Sequence, residues 1–154
     1  MSARSETDRS VVVGSDGRAK AYRPISIGQR AAAVAAGFEA YEQGDFFAAH
    51  EHLEPAWMGT DDPIERAWLQ GLIKLAAAYV HGVRGNPAGI VRNLEGARSR
   101  LAEAAAVGPT VTGPDGSRLD VAELVAAIDL RLADLAAHAA GATLEPPDLR
   151  RSTR

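Results

Sequence analysis

The sequence predicts an all-α domain of about five helices, arranged as a compact bundle of helical hairpins. From Ile27 onward, apolar residues recur at intervals of three and four, which is the period of a helix with one buried face. Capping residues, prolines and glycines separate these apolar stretches, and no segment carries a strong strand pattern. The chain has 154 residues, 46% of them hydrophobic, so it can bury a single core without disulfides.

The first two helices form the first predicted hairpin. The first helix begins at Ile27 and ends at Gly44, because glycine accepts the left-handed backbone that closes many helices. Asp45 then caps the second helix, which runs to about Trp57.

The third and fourth helices form the second predicted hairpin. Asp62 and Pro63 are start signals for the third helix, which runs to about Val83. Asn86 and Pro87 repeat the same signal for the fourth helix. Both helices of the second hairpin therefore begin with the same residue chemistry.

The remaining elements are a loop and a fifth helix. A loop is expected from Gly108 to Leu119, because residues 114–116 (Pro-Asp-Gly) have turn chemistry. Asp120 caps the fifth helix, and Gly141 ends it.

Three segments follow from this order of elements. Residues 1–26 are expected to be mostly irregular, although turn residues at 14–17 allow a small hairpin there. Residues 27–141 form a single all-helical domain. Residues 142–154, which contain two consecutive prolines, are expected to form a disordered C-terminal tail.

The two hairpins also align with one another as an internal repeat. The alignment pairs Gly44 with Gly85, Leu53 with Leu94, Glu54 with Glu95 and Ala56 with Ala97. A helix, a glycine turn and a second helix with small residues at the crossing resembles the tetratricopeptide hairpin, so we expect tetratricopeptide-like stacking. In the same alignment His50 corresponds to Val91, so an imidazole replaces an aliphatic side chain.

Composition and charge argue against several function classes. The formal net charge is −3 and the pI about 5.8, whereas nucleic-acid-binding domains usually have a basic patch and a pI above about 9. The polar N-terminus is not a secretory signal and no apolar stretch reaches membrane-spanning length, so a cytoplasmic location is expected. The chain has no cysteine, no phosphate-binding loop and no serine-nucleophile motif.

The candidate site lies on the second and third helices. His50 falls in the middle of the apolar arc of the second helix, with Glu54 one turn further on and Glu51 directed more toward solvent. On the third helix, one stripe contains Gln70, Lys74, His81 and Arg84. This stripe fits a solvated face, a polar pocket wall facing the second helix, or a surface that a partner covers, and the spacing leaves these interpretations open.

The same residues carry a family resemblance. They are Ala49, His50, Glu51, Glu54 and Trp57 on the second helix, and Gln70, Gly71, Leu72, Ile73, His81, Arg84, Gly85 and Asn86 on and after the third. Over about residues 30–135 the chain resembles the bacterial and archaeal family of domain of unknown function 309 (DUF309), which implies a small all-helical fold without an established activity. The chain departs from the family pattern at Lys74, where the family tends to carry glutamine, and at Pro55, which removes a backbone donor inside the helix.

The function that we expect is a protein- or ligand-binding module with a polar cluster between the second and third helices, because stacked helical hairpins bind partners on concave faces. The candidate binding residues are His50, Glu51, Glu54, Trp57, Gln70, Lys74, His81, Arg84 and Asn86. The expected partner is a protein or a small molecule, not nucleic acid or a membrane, and the chain is expected to be a monomer or a homodimer.

Two alternatives stay open. A metal-dependent or acid/base enzyme would use His50, Glu54 and His81, which offer two imidazoles and a carboxylate. The sequence has no His-x-x-x-His pair, however, and we expect no bound metal or cofactor. In the other alternative the cluster is structural, and His50 is a buried histidine whose hydrogen bond is satisfied by Glu54.

Overall fold

The computed structural model describes residues 11–13, 19–83, 87–138, 145–149 and 151–152. Within them the chain forms five helices, namely α1 (Ile27–Glu42), α2 (Phe46–Met58), α3 (Pro63–Val83), α4 (Pro87–Ala105) and α5 (Val121–His138). The all-α fold class and the number of helices predicted from the sequence are confirmed.

The helix ends follow the local signals in the sequence. Gly44 has a φ of 82°, so the chain turns there through the left-handed conformation that glycine adopts without strain. Asp45 caps α2, since its carboxylate accepts a hydrogen bond from the backbone N–H of Ala48. Pro63 and Pro87 are the first residues of α3 and α4.

The central helix is α3. It packs between α2 and α4, while α1 packs against α2 and α5 against α4. Buried apolar side chains from all five helices form one cluster, in which Phe38 and Trp68 are the largest fully buried ones. The helices are therefore a succession of packed neighbours, and tetratricopeptide-like stacking stays a prediction.

The segment from Gly108 to Leu119 contains a β-hairpin, so the prediction of a loop there is wrong. Strand β3 (Thr110–Thr112) pairs antiparallel with β4 (Arg118–Asp120), and Gly116 turns between them with a φ of 86°. Strands of three residues are too short to show the alternation that identifies a strand in a sequence.

The N-terminal segment contains the small hairpin that its turn residues allow. Strand β1 (Val11–Val13) pairs antiparallel with β2 (Ala19–Ala21), and Val11 lies opposite Ala21. The turn at residues 14–17 lies outside the described residues.

The described part of the C-terminal region packs against the helices, which differs from the disordered tail that the sequence predicts. We call residues 145–149 and 151–152 the C-terminal segment. Leu149 is 8% exposed, and β5 (Arg151–Ser152) pairs with β4 as the third strand of a small sheet. The Pro147 carbonyl accepts a hydrogen bond from Tyr41, and Leu149 packs in the buried apolar cluster. These partners lie far away in the sequence, so a local pattern does not reveal them. The division of the chain at residues 26 and 141 stays a prediction.

Candidate functional site

The structure describes the side chains of six of the nine predicted site residues. Trp57 and Gln70 are buried, His50, Glu54 and Lys74 are half-buried, and Glu51 is exposed. The side chain of His81 lies outside the description, as do Arg84 and Asn86 in full. The described site therefore consists of α2 and the first half of α3.

His50 and Glu54 lie one turn apart on α2, as predicted. The described residues contain no hydrogen bond or ion pair between these two side chains. Because His50 is only half-buried, water can hydrate part of its imidazole. The hydrogen bond between His50 and Glu54 that the structural alternative expects is therefore absent from the described residues.

Three of the polar residues of α3 that the structure describes lie in one row, which we call the α3 polar stripe: Arg66, Gln70 and Lys74. They follow one another at intervals of one helical turn. Gln70 is 6% exposed, and its Oε1 atom receives no hydrogen bond from any described residue. Most buried polar groups have a partner, and an unsatisfied one costs about 1–3 kcal/mol. Gln70 is thus a buried acceptor without a donor among the described residues.

Neighbouring helices border the α3 polar stripe on two sides. The Arg66 guanidinium carbon lies 6.0 Å from the ring centroid of Trp57 on α2. The side chain of Lys74 passes over Gly96 on α4, where an added Cβ would lie 2.9 Å from Lys74 Cδ. The stripe therefore lies on the face of α3 between α2 and α4.

A second guanidinium on α4 adds positive charge beside the stripe. Burial lowers the pKa of Arg66, and the charge of Arg100 lowers it further. Arg66 nevertheless stays charged at neutral pH, because arginine does not deprotonate in proteins. Arg100 Nη1 donates to both carboxylate oxygens of Glu103 at 2.7 Å, and its Nε atom is buried with no hydrogen-bond partner among the described residues.

Arg66 and Arg100 are absent from the predicted set. Arg66 stands one turn before Gln70, so extending the stripe toward the start of α3 would have found it. Arg100 belongs to another helix, and no spacing within the sequence connects it to the stripe.

The described part of the chain offers neither a membrane-spanning helix nor a metal-binding cluster. No helix there has both the length and the apolar character needed to cross a membrane. Likewise, the side chains described there include no group of three or more histidines and carboxylates placed to hold a metal ion.

Comparison with known families addresses the resemblance directly. The family described as Domain of unknown function (DUF309) matches residues 34–93. This match covers less than half of the chain, and it supports the resemblance to DUF309. The match is shorter than the resemblance expected over residues 30–135, yet it contains every predicted site residue. No curated protein and no solved structure gives a significant match.

A concave surface, distinct from the α3 polar stripe, lies where the C-terminal segment crosses the helices. The Tyr41 hydroxyl donates to the Pro147 carbonyl at 2.7 Å. The Tyr79 hydroxyl and Arg131 Nε donate to the Glu145 carbonyl at 3.4 and 3.2 Å. Tyr41 and Tyr79 lie within the DUF309 match, whereas Arg131 and the C-terminal segment lie outside it.

Two open cavities flank the C-terminal segment. One, of about 340 Å³, lies between Tyr41 and Phe46 on the helices and residues 146–149. The other, of about 550 Å³, lies between the β3–β4 hairpin and residues 148–149 and 151–152. Among the predicted site residues whose side chains are described, none lines either cavity, so these concavities and the α3 polar stripe are separate features.

The two tyrosines of this surface are buried, and burial shifts their pKa values. Burial raises the pKa of Tyr79 to about 12, although the charge and hydrogen bond of Arg131 oppose the shift. Burial also raises the pKa of Tyr41. Tyr41 and Tyr79 are among the buried residues of their helices, and buried tyrosine hydroxyls usually require an acceptor. That requirement is the signal that sequence reasoning missed.

Proposed function

We propose that the chain is a binding module and that its ligand, a protein or a small molecule, contacts the α3 polar stripe. The observation that carries the proposal is the buried Gln70 Oε1 atom, which no described donor satisfies. A hydrogen-bond donor from a ligand would remove the cost of that unsatisfied acceptor. Natural chains keep such locally unfavourable groups mainly where function requires them.

The charges around Gln70 indicate the chemistry of the ligand. Arg66 and Lys74 lie one turn to either side of Gln70 on α3, and Arg100 approaches Arg66 from α4. Glu103 is bonded to Arg100 and provides one negative charge at this end. A ligand that combines a carboxylate or phosphate group with an N–H or O–H donor would match both the cations and Gln70.

Thermal-shift measurements with a panel of anions test this proposal. We expect at least one compound among citrate, glutamate and inorganic phosphate to raise the Tm of the purified full chain. A ligand at a hundred times its Kd stabilises the folded state by about 2.7 kcal/mol. For a chain of this length that corresponds to a rise of several degrees.

Matched variants separate specific binding from a general salt effect. Lys74→Met removes a charge from the α3 polar stripe while keeping an apolar stem, and should abolish most of the shift. Arg118→Met removes an exposed charge from β4, outside the stripe, and should leave the shift unchanged. Equal shifts in the two variants, or no shift with any anion, would contradict the proposal.

No described geometry favours the enzyme alternative. His50 and Glu54 share no hydrogen bond within the described residues, and the third member of the set, His81, has no described side chain. Binding through the stripe therefore remains the function with the stronger support.

The setting of the module is also a proposal. The acidic pI supports partners other than nucleic acid, and we propose a cytoplasmic monomer or homodimer. Light scattering coupled to size-exclusion chromatography would distinguish the two oligomeric states.

A further inference from the structure

We propose that Tyr41, Phe46, Tyr79 and Arg131 form a docking groove for an extended peptide of a partner protein with the pattern Pro-x-Leu-x-Arg. We call these four residues the tyrosine groove. The chain's own C-terminal segment occupies the groove and acts as an internal competitor. The inference goes beyond the proposed function, because no residue of the α3 polar stripe takes part.

The groove contacts the main chain of its occupant. Tyr41 donates to the carbonyl of Pro147, while Tyr79 and Arg131 donate to the carbonyl of Glu145, two residues earlier. Every peptide has these carbonyls, so the contacts select an extended backbone rather than particular side chains. Two consecutive prolines enforce that extension, since proline fixes its own φ and restricts the preceding residue.

Side chains at alternate positions supply the sequence preference. Pro147 is buried and Leu149 is 8% exposed, whereas Asp148 between them is exposed. Arg151 donates to both carboxylate oxygens of Glu42, at 2.7 and 2.6 Å. The chain makes a tight turn between Leu149 and Arg151, because the Arg151 backbone N–H donates to the Leu149 carbonyl at 2.8 Å. The pattern of contacting positions is therefore Pro-x-Leu in the extended stretch, followed by x-Arg after the turn.

Two further contacts extend the recognition of the occupant. The Arg151 guanidinium lies 4.9 Å from the ring centroid of Phe38. Strand β5 adds to the edge of β4, with Leu119 opposite Arg151. Docking of proline-rich segments on aromatic grooves and strand addition are both established modes of peptide recognition.

The groove is built from helices of the bundle, and its rings contact one another as well as the occupant. Tyr41, Phe46, Tyr79 and Arg131 belong to four different helices of the bundle, and the three aromatic rings pack on one another. Ring centroids lie 5.2 Å apart for Tyr41 and Phe46, and 5.5 Å apart for Phe46 and Tyr79. These rings lie within the DUF309 match, and the occupant lies outside it.

The occupant fills its position incompletely. Cavities of about 340 and 550 Å³ lie on its two sides, so a peptide with larger side chains could bury more surface there. The Glu42 side chain is 42% exposed, so water screens its ion pair with Arg151. This contact therefore selects among peptides by charge more than it holds the segment in place. A partner peptide can therefore compete with the segment.

A fluorescent peptide with the sequence of residues 143–154 tests the proposal in the full chain. In one variant, Leu149→Asp and Arg151→Glu together release the C-terminal segment without changing the groove. Fluorescence anisotropy should show at least tenfold tighter binding of the peptide to this variant than to the wild type, because a tethered competitor has an effective concentration on the order of millimolar. Equal binding, or no binding to a variant that keeps its helical circular dichroism, would overturn the proposal.

Two variants in the released background identify the groove as the binding site. Tyr41→Phe removes one donor and should weaken peptide binding roughly two- to tenfold. Tyr22→Phe makes the same chemical change outside the groove and should leave binding unchanged. Equal effects of the two substitutions would show that the peptide binds elsewhere.

Charge reversal gives a test that does not require release of the segment by a core substitution. Full-length Glu42→Arg should prefer a peptide carrying Arg151→Glu to the unmodified peptide, and the wild type should show the opposite preference. Absence of that reversal would overturn the assigned pattern. A wild-type dimer that dissociates on Leu149→Asp would identify the occupant as a second copy's segment and would also overturn the partner-peptide proposal.

Discussion

At Gln70 the chain places an amide where packing alone would favour an aliphatic side chain. Tyr41 and Tyr79 also carry polar groups into the interior, but their hydroxyls donate to carbonyls of the C-terminal segment. Gln70 differs because no described residue satisfies its oxygen. The two tyrosines thus mark a surface that the C-terminal segment occupies. Gln70 marks the α3 polar stripe, where no described residue satisfies the amide oxygen.

The unsatisfied oxygen predicts a stability gain from an apolar replacement. Gln70→Met keeps the length of the side chain and removes the buried acceptor, so the free energy of unfolding should rise by about 1 kcal/mol. Urea denaturation measures the change. Gln43→Met, at an exposed position after α1, should alter stability by less than about 0.5 kcal/mol. A destabilised Gln70→Met would show that the amide makes a stabilising hydrogen bond in solution.

The two buried tyrosines predict a loss of stability at high pH. The unfolded Tyr79 releases its proton near pH 10, whereas the folded one retains it to about pH 12. Between these values the folded state binds more protons, so the free energy of unfolding falls as pH rises from 10 to 12, with no contribution below that range. The buried Tyr41 acts in the same direction.

Urea titrations between about pH 8 and pH 11.5 measure this dependence. In the double variant Tyr41→Phe with Tyr79→Phe, the free energy of unfolding should fall less steeply with pH above pH 10. Tyr22→Phe should show the wild-type dependence of the free energy of unfolding on pH. The same dependence in all three proteins would refute the assignment of this effect to Tyr41 and Tyr79.

At the scale of elements, the helices were predictable because their signals are local. Gly44, Asp45 and Pro63 each act within one turn of the chain, so the sequence alone locates the boundaries they set. The β3–β4 hairpin was missed because three-residue strands carry no usable alternation. Its buried Leu119 is stabilised by packing against distant residues, which the local sequence does not encode.

Two helical glycines provide a matched test of the α3–α4 contact. A Cβ at Gly71 would lie 2.6 Å from Leu101 Cγ and 3.2 Å from the Leu101 backbone nitrogen, so α4 itself would have to move. At Gly96 the close atom is Lys74 Cδ, in a flexible side chain that can rotate away. We expect Gly71→Ala to lower the free energy of unfolding by about 1–2 kcal/mol.

Gly96→Ala serves as the control for Gly71→Ala. It should be neutral or stabilising by up to about 1 kcal/mol, because alanine favours helix more than glycine does. Urea denaturation of both variants decides the point, and equal destabilisation would contradict the described packing of α3 on α4.

At the scale of the whole molecule, the candidate site was only partly predictable. The helical period places Gln70 and Lys74 on one face of α3, where Gln70 is buried and Lys74 is half-buried. Arg100 reaches the stripe through the packing of α4 on α3, which no period within a single helix reveals. The C-terminal segment was missed for a similar reason, since its partners Tyr41 and Tyr79 lie about a hundred residues and about seventy residues earlier in the chain.

The helical core predicts that the bundle folds without the C-terminal segment. Most members of the buried apolar cluster belong to the helices, and Leu149 is its contribution from the segment. Deleting residues 142–154 should therefore preserve helical circular dichroism and cooperative unfolding. The expected loss is about 2 kcal/mol, the contribution of one buried leucine, which lowers the Tm by about 4–8 °C. Deleting only residues 153–154 is the control and should leave the Tm unchanged. Loss of helicity in the longer deletion would show that the segment is required for folding, and that the tyrosine groove cannot open for a partner.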